Sequence, residues 1–209
     1  MKKILIIFML ILFGFHNVDA QMIQEKKYSI LNKKITNAPQ IIEFFSFLCP
    51  HCYALEKKYN LDKHIKKQIS SSIKIIKYHV NFLGGELGSL LTHIWEMSKI
   101  VKLEKKILMP IFEKVQQTKS ITNFYTLKNE FLKLTKMNRK EFNFLWNSFV
   151  TKSMLYNQNI VQNTINLKYV PSIFINGKYS INSENMNHKS PEILIKEYIC
   201  IIKFLLKKN

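Results

Sequence analysis

The residues best suited to chemistry are two cysteines separated by a dipeptide, in the motif Cys49-Pro50-His51-Cys52. A thiolate can attack a disulfide sulfur, so a C-x-x-C pair can pass its disulfide to another thiol. The loop closed by this pair is too small for its disulfide to add much stability. Redox chemistry therefore explains the motif better, and its redox centre would be the intrinsic disulfide, with no cofactor.

Metal and haem binding are the competing uses of a C-x-x-C. Covalent haem attachment needs histidine after the second cysteine, and Tyr53 stands there instead. Zinc takes about four ligands. The remaining candidates, His51, His79 and Cys200, are scattered along the chain. We therefore expect neither a metal nor a haem.

The third cysteine, Cys200, lies among Tyr198, Ile199, Ile201 and Ile202. In such an apolar stretch, the role of a small buried side chain is favoured over that of a third redox-active thiol. An exposed Cys200 would instead permit stray dimerisation.

The N-terminus predicts export. Lys2 and Lys3 precede an apolar run over residues 4–15, and Val18-Asp19-Ala20 ends in a small residue. This pattern is typical of a signal peptide cleaved after Ala20, and the run is shorter than the ~20 residues of a membrane span. Export leads to an oxidising compartment, where the cysteine pair would hold a disulfide.

The chain is strongly basic, with 32 Lys and Arg against 14 Asp and Glu and a net charge of +18. Nucleic-acid recognition favours the guanidinium fork, yet Arg139 is the sole arginine and the lysines are spread throughout. Export would also remove the protein from nucleic acid. A compositional bias toward Lys, Ile and Asn explains the charge better, so no nucleic-acid partner is expected.

A strand followed by a helix is predicted around the cysteines. Residues 40–47 form an apolar, aromatic run typical of a buried strand. Pro50 suits the first turn of the next helix, which places Cys49 at its N-terminus and Cys52 one turn inside. A second buried strand over residues 73–80 completes a β-α-β unit, which favours parallel pairing.

Helices, a hairpin and a last helix follow. Helical patterns cover residues 86–101, 103–117 and 122–135, and a longer helix starts near Asn138, which has capping-box spacing to Glu141. Asn176-Gly177 between residues 170–175 and 178–181 predicts a hairpin. The last helix covers residues 190–207, with Ser190 as N-cap and Pro191 at its first position. The order predicts an α/β fold with a helical insertion.

Several segments together carry a closer resemblance. A C-x-x-C between strand and helix, with a late X-Pro before a hairpin, resembles the thioredoxin fold. Residues 43–53, residues 77–82, Gly84-Gly85, residues 146–150, and Val170-Pro171 with residues 176–179 look like the DsbA family of periplasmic disulfide oxidases, in the same order. The resemblance covers nearly all of the chain after residue 20.

This resemblance implies a thioredoxin fold, with a central mixed sheet and flanking helices, interrupted by an all-helical domain. The expected organisation is a signal peptide over 1–20, thioredoxin-like parts over 21–82 and 158–209, and a helical insertion over 83–157. It also implies that the protein oxidises unfolded exported proteins with free cysteines in a Gram-negative periplasm. A DsbB-like inner-membrane oxidase would re-oxidise it.

Other functions of the same fold stay open. Isomerases and reductases share the C-x-x-C, although isomerases usually add a dimerisation domain and residues 20–40 are too short for one. We therefore expect a monomer. A redox-inactive chaperone is the non-enzyme alternative, because the Phe- and Met-rich helices could line a groove for unfolded chains.

The two cysteines have different expected roles. An exposed Cys49 at the helix N-terminus, with His51 beside it as a donor or partial positive charge, would carry the stabilised thiolate that exchanges with substrate. Cys52 would be the buried partner that completes the exchange. The resemblance also makes Pro171 a cis-proline opposite the disulfide, with the Val170 backbone binding extended substrate. A trans proline starting an edge strand is the alternative.

Two charged residues interrupt the apolar strands, Glu43 in the first and Lys77 in the second. If both strands are central, the pair lies beneath the cysteines and could relay protons to Cys52; otherwise each points to solvent. Glu56, one turn beyond Cys52, has either an electrostatic role or a place on a solvated helix face.

Overall fold

A five-stranded mixed sheet forms the centre of the molecule. The computed structural model describes residues 27–208, so the predicted signal peptide and its cleavage after Ala20 lie outside the described residues. The strands are β1 Tyr28–Ile30, β2 Ile41–Phe45, β3 Ile75–His79, β4 Ser172–Ile175 and β5 Tyr179–Ile181, in the order β1-β5-β4-β2-β3. Among the strands of the described residues, only β2 and β3 pair in parallel, as predicted for the β-α-β unit.

Strand β2 is apolar because neighbouring strands and helices cover it on every side. It pairs with β3 and β4, and Ile41, Ile42, Phe44 and Phe45 are each at most 1% exposed. Such a strand needs hydrophobic side chains on both faces, which explains the absence of alternation in its sequence. Glu43 is the one charged residue of β2, and it is nevertheless buried, at 3% exposed.

Helices cover the sheet and fill the interval between β3 and β4. They are α1 Pro50–Lys57, α2 Leu61–Gln68, α3 Gly85–Ile100, α4 Glu104–Gln116, α5 Phe124–Thr135, α6 Arg139–Asn147, α7 Phe149–Thr164 and α8 Pro191–Lys207. The thioredoxin-like sheet with a helical insertion is thus the fold of this chain. The domain boundaries at residues 83 and 157 stay predictions, and α7 continues through the second without a break. Within residues 27–208, no helix is both long and apolar enough to cross a membrane.

The single long helix predicted from Asn138 is wrong. The structure has two helices, α6 and α7, separated at Ser148, whose backbone is extended with φ −64° and ψ 148°. The Ser148 side chain accepts a hydrogen bond from Thr151 N–H, and the Thr151 hydroxyl donates to Leu145 O. Serine competes for backbone hydrogen bonds in this way, and the hydrophobic periodicity did not reveal it. The predicted capping box of Asn138 and Glu141 is confirmed.

The expectation of a buried Cys200 is also wrong, because this thiol is exposed on α8. The buried stripe of α8 consists of Leu194, Tyr198, Ile199, Ile201, Ile202 and Leu205. At 100° per residue, position 200 points away from this stripe. Apolar neighbours in sequence therefore did not imply an apolar environment.

An aromatic cluster connects the inserted helices to the end of β2. Phe47 contacts the ring of Phe112 on α4 with centroids 4.9 Å apart, and Phe45 lies 5.0 Å from Trp95 on α3. Both phenylalanines belong to the same buried core as Cys49 and Cys52. The helices therefore pack directly against the segment that carries the cysteines.

The predicted hairpin between β4 and β5 is confirmed. Asn176 and Gly177 both have positive φ, 52° and 64°, as the tight turn of a hairpin requires. Gly177 also lies against the chain before β2, where its carbonyl accepts a hydrogen bond from Ile35 N–H at 2.8 Å. A Cβ on Gly177 would lie 2.5 Å from Ala38 Cβ and 2.6 Å from Ile35 O.

Alanine at Gly177 tests this close approach, and Gly85→Ala is the matched control. Gly85 also has positive φ, but a Cβ there meets nothing within 4 Å. We expect Gly85→Ala to lower the free energy of unfolding by about 1 kcal/mol, from backbone strain alone. Gly177→Ala should lose a further ~1–3 kcal/mol from overpacking. Equal losses in urea unfolding would contradict the packing argument.

Candidate active site

Cys49 is the N-cap residue of α1. Its backbone is extended, with φ −93° and ψ 116°, and its Sγ accepts a hydrogen bond from Cys52 N–H at 3.4 Å. Pro50 occupies the first helical position, where its missing N–H costs nothing. The free N–H groups and the positive end of α1 therefore surround the Cys49 sulfur, where negative charge is stabilised.

The pKa of Cys49 falls from its ordinary 9.0 to about 6. The largest cause is a hydrogen bond with the Cys52 side chain. Burial opposes the shift, while the Cys52 and His51 N–H groups and the His51 charge favour it. Cys49 is buried, at 7% exposed, so the expectation of an exposed sulfur is wrong; Cys49 belongs to the apolar cluster against which Val170 also packs. His51 itself is exposed.

Cys52 lies in the opposite environment. It is fully buried, and burial raises its pKa far above the ordinary value, helped by Cys49 and by the charge of Glu43. Both cysteines are thiols in this structure. At neutral pH the pair therefore holds one thiolate, on Cys49, and one proton, on Cys52.

The loop before β4 faces the Cys49 sulfur. The Val170–Pro171 peptide bond is cis, and the Cys49 sulfur lies 3.4 Å from Val170 O, to which it donates only when protonated. His51, Tyr169, Val170 and Pro171 line a common groove of about 280 Å³. A backbone carbonyl of the loop therefore lies next to the Cys49 sulfur.

Three residues that the sequence singled out, Glu43, Lys77 and Glu56, meet beneath the cysteines. The register of β2 and β3 places Glu43 beside Lys77, whose ammonium binds both Glu43 and Glu56. Solvation of these charges is minimal, because the Lys77 and Glu43 side chains are 9% and 5% exposed. The alternative in which each points to solvent is wrong.

Sequence reasoning missed a fourth member of this cluster. Asp62, in the first turn of α2, lies 3.2 Å from Lys77 Nζ, and its side chain is 31% exposed. An acidic residue in a first helical turn is common, so its type carried no signal. The three carboxylates are close enough to bind a cation. The Lys77 ammonium, however, already lies among them.

Burial and charge shift the titration of this cluster. Burial raises the pKa of Glu43 to about 8, although Lys77 opposes the shift. For Lys77, burial acts to lower the pKa, but Glu43, Glu56 and Asp62 hold it well above the ordinary value. Within residues 27–208, Glu43 Oε1 has no hydrogen-bond partner. A carboxyl group that can hold a proton near neutral pH therefore lies within the electrostatic range of Cys52.

The Cys49 thiolate can be titrated directly by its ultraviolet absorbance. We expect a midpoint near pH 6 in the reduced protein, because the pKa of Cys49 is lowered to about 6. Cys49→Ser should abolish this transition and Cys200→Ser should leave it unchanged. A midpoint close to that of an ordinary free cysteine would contradict the helix-terminus argument.

A second prediction concerns Glu43 in the oxidised protein, where neither Cys49 nor Cys52 titrates. Because its folded pKa is raised from 4.5 to about 8, protonated Glu43 contributes stability that is complete below pH 4.5 and lost as pH rises to about 8. Glu43→Gln should therefore flatten the fall in unfolding free energy over this pH window. Identical pH profiles for both proteins in urea unfolding would refute the raised pKa.

Comparison with known proteins agrees with this geometry. A thioredoxin family model matches residues 35–196. The chain is 49% identical to the thiol:disulfide interchange protein DsbA of Buchnera aphidicola subsp. Baizongia pistaciae and 36% identical to DsbA of Escherichia coli K12, over the full length of all three chains. Among solved structures, DsbA of Proteus mirabilis with a non-covalently bound peptide is 31% identical, with a TM-score of 0.80 over 87% of this chain and 96% of that chain.

The similarity therefore extends over the sheet, the inserted helices and the cysteine motif. The fold, the two distinct cysteine environments and the full-length relatives agree. This chain belongs to the DsbA family of thiol:disulfide interchange proteins and is a thiol–disulfide oxidoreductase with a thioredoxin fold.

Proposed function

We propose that this chain acts as an oxidase, which donates the Cys49–Cys52 disulfide to reduced, newly exported proteins. The observation that carries the proposal is the asymmetry of the two sulfurs. Cys49 has a lowered pKa at the helix N-terminus, and Cys52 is buried with a raised pKa. A low-pKa thiolate is a good leaving group, so a mixed disulfide at Cys49 is resolved readily toward oxidised substrate.

The exchange proceeds in two balanced steps. A substrate thiolate attacks Cys49 Sγ, the Cys49–Cys52 bond breaks, and Cys52 leaves as a thiolate that takes up a proton. A second substrate thiolate then attacks the substrate sulfur of the mixed disulfide and releases Cys49 as a thiolate. The substrate loses two electrons in forming its disulfide, and the enzyme gains them as a dithiol.

The transfer of the disulfide from enzyme to substrate is favoured by the lowered pKa of Cys49. Interactions that stabilise the Cys49 thiolate exist only in the reduced enzyme, so they favour the reduced form over the disulfide. A pair stabilised in this way readily accepts electrons from substrate thiols. An oxidase role is therefore favoured over that of a reductase, which would need a stable disulfide form.

Substrate binding is assigned to the loop before β4. Val170 O lies 3.4 Å from the Cys49 sulfur, within reach of an extended chain whose cysteine attacks Cys49. Pro171 follows it and lines the same groove as His51. Backbone hydrogen bonds at Val170 would hold substrates of many sequences, because they require no particular side chain.

Proton transfer to Cys52 is assigned to the cluster below it. Glu43 has a pKa raised to about 8, and its Oε1 has no hydrogen-bond partner among residues 27–208, so Glu43 can deliver the proton that departing Cys52 requires. Lys77 connects it to Glu56 and to the half-exposed Asp62, which opens the route to solvent. In this role, Glu43, Lys77 and Glu56 act on Cys52 and not on the substrate.

The remaining expectations belong to the same proposal. The protein acts as a monomer in the periplasm of a Gram-negative bacterium after cleavage of its signal peptide. A DsbB-like membrane oxidase regenerates the disulfide, and no metal, cofactor or nucleic acid takes part.

A reduced, unfolded protein with several cysteines provides the test. The oxidised enzyme should form substrate disulfides stoichiometrically, Cys49→Ser should form none, and Cys200→Ser should equal wild type. With a substrate that already contains a disulfide, Cys52→Ala should accumulate a mixed disulfide, because the Cys49 thiolate attacks that disulfide, releases one substrate thiolate, and the resolving Cys52 is absent. Suppression of substrate aggregation equally by wild type and Cys49→Ser, with no disulfides formed, would favour the chaperone instead. Faster reshuffling of wrong disulfides than formation of new ones would favour an isomerase.

A further inference from the structure

Phe47, two residues before Cys49, has both of its backbone polar groups bound by side chains from distant elements. Its N–H donates to His79 Nε2, at the end of β3, at 2.9 Å. Its carbonyl accepts from Gln116 Nε2, at the end of α4, at 2.7 Å. Phe47 itself is fully buried, so water cannot replace either partner. We call this arrangement the Phe47 clamp.

The direction of every hydrogen bond on the His79 side follows from chemistry. A backbone N–H can only donate, so Nε2 carries a lone pair and the proton of the neutral imidazole lies on Nδ1. Nδ1–H therefore donates to Thr92 Oγ1 at 2.7 Å, and the Thr92 hydroxyl donates to Gly88 O at 2.9 Å. Burial lowers the pKa of His79 to about 3, which keeps this tautomer uncharged at neutral pH.

The clamp is connected to Cys49 by a short, bonded turn. Leu48 N–H donates to Ser46 Oγ at 3.1 Å and Cys49 N–H donates to Ser46 O at 3.0 Å. A displacement of Phe47 is thus transmitted to the Cys49 sulfur. The Cys49 sulfur accepts a hydrogen bond from Cys52 N–H at 3.4 Å, and a small displacement of the sulfur would break it.

We propose that His79 and Gln116 are positioning residues that hold Phe47, and through it set Cys49 Sγ against the N-terminus of α1 and Val170. This inference rests on the proposed function, since it takes Cys49 as the exchanging sulfur. Neither side chain lines the groove shared by His51, Val170 and Pro171. A polar residue buried only to satisfy the core would have no influence on the chemistry of Cys49.

The clamp also gives the inserted helices a chemical role. Gln116 lies on α4, Thr92 on α3, and Gln158 on α7 donates its side-chain N–H to His79 O. Side chains from three helices between β3 and β4 therefore bind either Phe47 or His79, which is itself bonded to Phe47. The packing of these helices would therefore influence the pH midpoint and the exchange rate of the Cys49 thiolate.

Three substitutions at His79 separate positioning from mere stability. In His79→Gln, the side-chain carbonyl reaches the place of Nε2 and can accept from Phe47. In His79→Asn, the shorter amide reaches only the place of Nδ1, so it can hydrogen-bond to Thr92 but cannot accept from Phe47 N–H. His79→Phe keeps an aromatic ring but can hydrogen-bond to neither Phe47 nor Thr92. All three should lower stability, but only Asn and Phe should release Phe47.

We therefore expect His79→Asn and His79→Phe to raise the pH midpoint of the Cys49 thiolate and to slow disulfide transfer by about tenfold to hundredfold. His79→Gln should remain close to wild type in both measurements. Gln116→Leu removes the hydrogen bond to Phe47 O and should change both measurements in the same direction as His79→Phe. Gln117→Leu, at the exposed neighbouring position, is the control. Gln116→Leu also keeps the test available if His79→Phe does not fold.

Two outcomes would overturn the inference. One is a wild-type thiolate midpoint and rate in both His79→Phe and Gln116→Leu. The other is an equal change in all three His79 variants, which would show that stability alone is affected. Failure of the proposed function is distinguishable, because wild type would then transfer no disulfide while the thiolate midpoints still report the position of Cys49.

Discussion

The contact between the Cys49 sulfur and the N-terminus of α1 is the interaction on which the remaining features depend. A helix begins there with N–H groups that have no partner within the helix, and Cys52 N–H points at the sulfur from 3.4 Å. Negative charge on Cys49 is therefore stabilised by hydrogen-bond donors at the helix terminus, with a smaller contribution from the His51 charge. Since the stabilisation requires a free thiolate, it is lost when Cys49 enters a disulfide.

The surroundings of α1 maintain the difference between its two sulfurs. Burial keeps Cys52 protonated, and the buried Lys77 with its three acidic partners lies below it. Burying an ion pair seldom adds stability in itself, because desolvation offsets the attraction. The proton transfer that we propose to Cys52 would give the buried cluster a role under the redox pair. Above the pair, the Val170–Pro171 loop lies against Cys49, with Val170 O 3.4 Å from its sulfur.

Sequence patterns predicted the elements near the site because those patterns are local. The apolar run of β2, Pro50 at the helix start and Asn176-Gly177 each determine a conformation within a few residues. The short strand β1 was missed, since three residues that pair only with β5 leave almost no pattern. Asp62 and the His79 contact with Phe47 were also missed, because they depend on how distant elements pack.

The two wrong predictions, a single helix from Asn138 and a buried Cys200, also concern features that depend on packing and hydrogen bonds beyond the local pattern. Ser148 ends one helix and starts another through hydrogen bonds that hydrophobic periodicity does not reveal. Cys200 is exposed because the orientation of α8, not the polarity of adjacent residues, decides which side chains are buried. In the active site, residue types predicted the chemistry, but the electrostatics required the register that pairs Glu43 with Lys77.

Denaturant unfolding of the oxidised and reduced forms across pH tests the central claim most directly. The pKa of Cys49 is lowered from 9.0 to about 6, so the thiolate's contribution to the reduced form is complete above pH 9 and lost as pH falls through about 6. At neutral pH the reduced form should therefore be the more stable, with an advantage that grows from pH 6 to 9. An oxidised form that is more stable throughout this range would contradict the account.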